Sequence, residues 1–162
     1  MSSNNEGSTA DREIVISRVV DAPRELVWEA MTNPKHVGNW WGPRGFTTTT
    51  EKMEVREGGE WKLTMHGPDG AEYPNHHVFT EVVKPERMVF LKAGSRKGGC
   101  TEVRAVSTWT FDLVEEKKTR VTIRMVFETA EFRDKVVKEY NAVQGGNETL
   151  ARLAEYLPTM PA

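Results

Sequence analysis

An α+β domain, with one long C-terminal helix laid across a curved antiparallel sheet, is the fold this sequence predicts. Three observations carry that reading. Residues 46–128 are strand-rich and broken by turn signals. Residues 103–128 alternate apolar and polar side chains. Phe132, Val136, Tyr140, Val143, Leu150, Leu153 and Leu157 then recur at helical steps, a stripe of roughly 27 residues or ~40 Å. A sheet with one wet face needs such a cover.

The elements follow in order. Glu13–Val20 is β-branched and reads as the first strand. Asp21 is a candidate cap and Pro23 sits near the first turn of a helix carrying Leu26, Val27, Ala30 and Met31. Asn33-Pro34 breaks it, and Lys35–Trp40 reads as a short second helix. Trp40-Trp41-Gly42-Pro43 follows, a bulky apolar corner where helix gives way to strand. Such a corner either plugs one end of a core or forms the mouth of a cavity.

Phe46–Val55 and Gly59–His66 are strands around a Glu57-Gly58-Gly59 turn. Pro68-Asp69-Gly70 turns the chain into Glu72–Val83, and Lys84-Pro85-Glu86 into Arg87–Ala93. Gly94–Gly99 reads as a flexible basic loop. Val103–Val114 and Thr119–Glu128 form the last hairpin. Ala105, Ser107, Trp109, Phe111 and Leu113 share one face, with Val121, Ile123, Met125 and Phe127 on the partner. Gly145-Gly146 inside the terminal helix leaves three readings open: close packing on the sheet, a bend bordering a pocket, or two separate helices.

At 162 residues the chain suits one domain. We expect a tail over 1–11, a single domain over 12–158 and a short tail over 159–162. A formal net charge of −2 gives no general drive toward nucleic acid or acidic membranes. The N-terminus lacks the apolar core of a secretory signal. No run approaches the ~18 apolar residues of a membrane span. One cysteine, Cys100, excludes an internal disulfide, and a cytoplasmic location fits.

Catalytic and metal signatures are weak. His76 and His77 are adjacent, so a regular strand sends them to opposite faces and they cannot chelate together. No metal and no cofactor are expected. Cys100 has no local histidine to activate it and reads as a spare thiol. Glu60, Glu72, Glu81 and Glu102 lie in or beside strands, and the pattern does not say which point inward.

Four local patterns, in this order, resemble a known family. They are Ala22-Pro23-Arg24-Glu25-Leu26-Val27-Trp28; Trp40-Trp41-Gly42-Pro43; Gly58-Gly59-Glu60-Trp61 with Met65 and Gly67-Pro68-Asp69-Gly70; and Glu148-Thr149-Leu150-Ala151-Arg152-Leu153-Ala154-Glu155-Tyr156-Leu157. Together they resemble the bacterial proteins named for homology to the C-terminal domain of the activator of Hsp90 ATPase (AHSA1-type). These belong to the START/Bet v 1-like (SRPBCC) superfamily. The resemblance covers about residues 13–157 and implies the helix-grip fold. One departure stands out: the group often carries Gly-Trp where this chain has Gly146-Asn147. An aromatic missing there implies a larger or more polar cavity.

The leading expectation is a module that binds a small hydrophobic or aromatic molecule between the terminal helix and the sheet. Trp41, Phe46, Met65, Trp109, Met125 and Tyr140 supply apolar contact, Gly145 and Gly146 border the space, and His76 or Tyr140 supplies a polar handle. An enzyme of cyclase or hydrolase type, acting on an aromatic or polyketide-like substrate in the same cavity, is the alternative. A chaperone-partner role ranks last, and a homodimer through strand edges is left open.

Overall fold

The computed structural model describes residues 10–95, 101–140 and 142–160, the side chains at 92–95, 101–104, 139, 140 and 142 aside. The β-branched run Glu13–Val20 forms β1. Ile14, Ile16 and Val20 are buried, while Val15 and Val19 face solvent, as a period of two requires. Helix α1 spans Arg24–Thr32 and buries Val27, Trp28, Ala30 and Met31.

The start of α1 corrects an expectation. Pro23 holds the cap position and no side chain caps there. Asp21 lies two residues further out, beyond reach of the first-turn amides, and accepts from Lys118 Nζ at 2.8 Å instead. Asn33 caps the next helix, α2 (Pro34–Val37), its Oδ1 accepting from Lys35 N at 2.9 Å. Helix α2 is shorter than predicted because Gly38 already takes the C-cap. Residues 38–40 are turn.

Six further strands follow: β2 (Thr47–Met53), β3 (Glu60–His66), β4 (Glu72–Val83), β5 (Arg87–Ser95), β6 (Thr101–Glu115) and β7 (Lys118–Phe127). They form one sheet of order β1-β7-β6-β5-β4-β3-β2, antiparallel throughout. The hairpin turns fall where predicted. Gly58 and Gly70 take φ of 82° and 87° there, the left-handed region that favours glycine. Register shifts at Thr50/Lys52, Phe79/Glu81, Lys92/Ala93 and Leu113/Glu115 bend the strands, as bulges do. The last of these explains a second correction. Leu113, expected on the covered face, is 48% exposed beside the bulge at the strand end.

The inner face buries Trp61, Leu63, His77, Phe79, Met88, Phe90, Ala105, Ser107, Trp109, Phe111, Val121, Ile123 and Phe127. The hydrophobic ones join α1 and Leu150, Leu153 and Leu157 in one core. The C-terminal stripe forms α3 (Ala130–Tyr140) and α4 (Ala142–Tyr156), and position 141 lies outside the described residues. The glycine pair does not end a helix; both residues sit within α4. A Cβ at Gly146 would stand 2.3 Å from Ile16 Cδ1, and one at Gly145 3.4 Å from Pro43 Cγ. Of the three readings, close packing describes this pair. Past α4, a turn of 3-10 helix (Leu157–Thr159) brings Met160 back to the core. The loop at 96–100, with Cys100, lies outside the described residues.

Candidate functional site

The tryptophan corner places two neighbouring indoles in different settings. Ala30 is the carbonyl that residue 34 would normally satisfy in a helix, but Pro34 has no N–H. Trp40 Nε1 supplies that bond at 3.0 Å, and Trp40 is fully buried. Trp41 is half-buried. Its ring stacks on Trp109 at 5.3 Å and 25°, and meets Trp61 edge-on at 4.7 Å. His77 lies 6.3 Å from Trp41, 5.0 Å from Trp61 and 4.7 Å from Phe90. Such pairs contribute ~0.5–1.5 kcal/mol each beyond area burial. The result is an aromatic floor on β3, β4, β5 and β6, with Trp41 laid over it.

The floor gathers four predicted residues. A Cβ at Gly42 would lie 3.0 Å from Met65 Cε and 3.4 Å from Phe46 Cβ, so Trp41, Phe46, Met65 and Trp109 share one neighbourhood. Phe46 also meets Tyr73 at 5.9 Å. Met125 faces inward opposite Ser107, one inward pair along from Trp109 and Ile123. Trp41, Phe46, Met65 and Met125 all keep partial exposure.

The other predicted residues lie elsewhere. His76 is on the opposite face of β4, its Nε2 2.8 Å from Glu60 Oε2. His77, 3% exposed, takes the inward place. The signal was Phe79: two residues on from His77, it shares its face. Gly145 and Gly146 pack against Pro43 and Ile16. The side chain of Tyr140 lies outside the described residues. Trp61, Phe90 and Ser107, which the sequence reading did not name for the site, also face inward here.

A second group fastens the corner from outside. Arg152 on α4 donates Nη1 to the carbonyls of Trp41, Gly42 and Pro43 at 3.3, 3.0 and 3.0 Å, and Nη2 to Asn39 O at 3.2 Å. Burial lowers its pKa and Arg44 adds to that, but a guanidinium stays charged. Arg44 forms a fork with Glu155 at 3.1 and 2.5 Å, and its N–H donates to Glu148 Oε1 at 3.1 Å. The hydrogen bond from Arg44 holds the Glu155 carboxyl below its ordinary range. Gln144, then the Arg44 amide, do the same for Glu148. Tyr156 OH meets His36 Nδ1 at 2.7 Å. Helical spacing reads Arg152 and Glu155 as part of a solvated face; their partners, at 39–44, lie over a hundred residues away in the chain.

Among the described residues the buried polar side chains are His77, Ser107, Thr119 and Thr149, none of them a carboxylate. Thr119 donates to Ala22 O and Thr149 to Gly145 O. Glu60 pairs with Lys52 and His76, Glu72 with His66, and Glu81 with Arg87. The hydrogen bond from Lys52, then that from His76, pulls the Glu60 carboxyl down. The side chain of Glu102 lies outside the described residues. No three metal-ligating side chains converge among the described residues. No helix among them is long and apolar enough to cross a membrane.

The family model for Activator of Hsp90 ATPase homolog 1-like protein matches residues 21–158. No curated protein matches the chain. Solved structures do. A protein of Arthrobacter aurescens is 26% identical, with a TM-score of 0.84 over 96% of this chain and 90% of that one. A Mycobacterium smegmatis protein is 22% identical, with a TM-score of 0.82 over 94% of each chain. The AHSA1 protein of Silicibacter pomeroyi is 15% identical, with a TM-score of 0.74 over 91% of this chain and 98% of that one. The curved sheet and terminal helix are the helix-grip arrangement of the START/Bet v 1-like proteins. With the family model matched over residues 21–158, a span that contains all four motifs, the chain belongs to the family of Activator of Hsp90 ATPase homolog 1-like proteins.

Proposed function

We propose that this chain binds a small hydrophobic or aromatic molecule against the inner face of the sheet. One observation carries the reading: Trp41, Phe46, Met65 and Met125 belong to the inward aromatic and methionine set and yet keep partial exposure. An apolar, adaptable surface with a few polar groups is how small-molecule sites are built. His77 and Ser107 supply those groups. At ~0.3 kcal/mol per heavy atom, a ligand of ~20 atoms gains about 6 kcal/mol, which corresponds to a Kd of tens of micromolar.

Binding is favoured over catalysis by the buried polar set. An acid–base enzyme needs a second titratable group beside His77 on the same face, and the described carboxylates are engaged at exposed or half-exposed positions, Glu60 by Lys52, Glu72 by His66 and Glu81 by Arg87. The test is a chemical-shift screen of the labelled chain with indole, a flavonoid and decanoate. Saturable shifts at the Trp41 and Trp109 indole N–H groups and the Met65 and Met125 methyls are expected. Saturable shifts confined to outward residues such as Val78 and Leu91, or none, would overturn the reading.

A further inference from the structure

Trp41 is held in an unusual way. Its backbone is pinned: N donates to Val37 O at 3.0 Å, and O accepts from Thr48 Oγ1 at 3.1 Å and Arg152 Nη1 at 3.3 Å. Its side chain is held by ring and apolar contacts. Among the described residues its indole Nε1 makes no hydrogen bond, whereas Trp40 Nε1 donates to Ala30 O and Trp61 Nε1 to Thr50 Oγ1. Those ring contacts run to Trp109, Trp61 and His77, which are 3%, 0% and 3% exposed, and to Trp40. The half-buried indole therefore lies face-on to Trp109 and edge-on to Trp61 and His77, all three of them buried. No hydrogen bond ties the ring to the strap that Arg152 fastens.

We propose that Trp41 is an internal stand-in for ligand. Its indole occupies the seat of a planar aromatic ring on the Trp61–His77–Trp109 floor, and such a ring takes the seat when the indole swings out. This deepens the binding reading above and rests on it. It also sets the ligand class. A face stacked at 25° on one indole and an edge-on contact with another suit a ligand that carries a planar π-system about the size of indole at one end, not an aliphatic chain. The corner is then a plug that competes with ligand, and the apparent affinity of the native chain is lowered by the fraction of molecules with the seat open.

The competition gives the test its sign. If Trp41 only contributes contact area, Trp41→Ala weakens binding of an aromatic probe. If Trp41 is the competitor, Trp41→Ala strengthens it. Calorimetric titration of the full chain with indole is expected to give binding at least about tenfold tighter to Trp41→Ala than to the native protein, or about 1.4 kcal/mol. Weaker binding to the variant, with native binding kept, refutes the stand-in and leaves the binding reading intact. Indole bound by neither protein refutes the stand-in, and the binding reading then stands or falls on the flavonoid and decanoate arms of the screen. Should Trp41→Ala fail to fold, Trp41→Leu keeps apolar cover without the stacking plane and takes its place. A second readout uses native protein labelled with 5-fluorotryptophan. At saturating indole the solvent isotope shift of the Trp41 fluorine signal should grow while those of Trp40 and Trp61 stay unchanged; an unmoved Trp41 signal overturns the proposal.

Discussion

Replacing each glycine of the α4 pair by alanine separates helix propensity from packing. Alanine in place of glycine inside a helix gains about 1 kcal/mol, and the gain is nearly the same at adjacent positions. The surroundings differ. A Cβ at Gly145 would meet only Pro43 Cγ, at 3.4 Å, which is ordinary contact. A Cβ at Gly146 would stand 2.3 Å from Ile16 Cδ1, so that buried side chain must move by more than an ångström. Overpacking of this kind costs ~1–3 kcal/mol. Gly145→Ala is therefore expected to stabilise by up to about 1 kcal/mol. Gly146→Ala should lie ~1–3 kcal/mol below it, a Tm gap of roughly 2–12 °C for a domain of this size. Ile16→Val removes the offending methyl. Alone it should cost ~0.5–1.5 kcal/mol, and in the Gly146→Ala background that cost should shrink or change sign. Thermal unfolding of the four variants reads all of this. Equal Tm values for the two alanine variants, or no coupling to Ile16→Val, would show that the helix does not rest on β1 through Gly146.

Three further outcomes follow from the same contacts. Arg152→Met takes a donor from four carbonyls, of which Trp41 O keeps Thr48 Oγ1 and Pro43 O keeps Phe46 N, and should lower stability by ~2–3 kcal/mol, with Arg152→Lys recovering part; a change below about 0.5 kcal/mol would mean water replaces the clamp. Trp40→Phe strips the donor from the Ala30 carbonyl that Pro34 cannot serve and should cost ~1–3 kcal/mol, read by urea unfolding; a neutral result would remove the corner's anchoring role. Glu155 and Glu148 have carboxyls held below the ordinary range by Arg44 and Gln144. A depressed folded-state pKa adds stability that is present above the unfolded value of about 4.3 and is lost as pH falls through the folded one. Glu155→Gln should flatten the loss of Tm between neutral pH and pH ~3, more so at low salt; an unchanged acid slope would mean the exposed fork contributes nothing.

Local chemistry made most elements legible in the sequence. Glu13–Val20 and Glu72–Val83 stand at their observed bounds because β-branched runs there end at Asp-Ala-Pro and Lys-Pro-Glu. The pairing of β1 with β7 was not legible, since no local pattern states which distant strand closes a sheet. His76 and His77 show the limit most sharply. The next residue, Val78, is as apolar as Phe79, so both faces of β4 look coverable, and only the larger ring at Phe79 marks the inner one. Asp21 reads as a cap by residue type, yet the cap position fell on Pro23. Arg152 reads as a solvated helix residue because its partners are backbone carbonyls, which carry no side-chain signal at all.

Intermolecular NOEs from a bound probe to methionine methyls test the central claim most directly. With indole saturating the methyl-labelled chain, contacts to Met65 and Met125, and none to the outward Val78 or Leu91, are predicted. A saturated probe whose NOEs reach only outward methyls would contradict a site on the inner face.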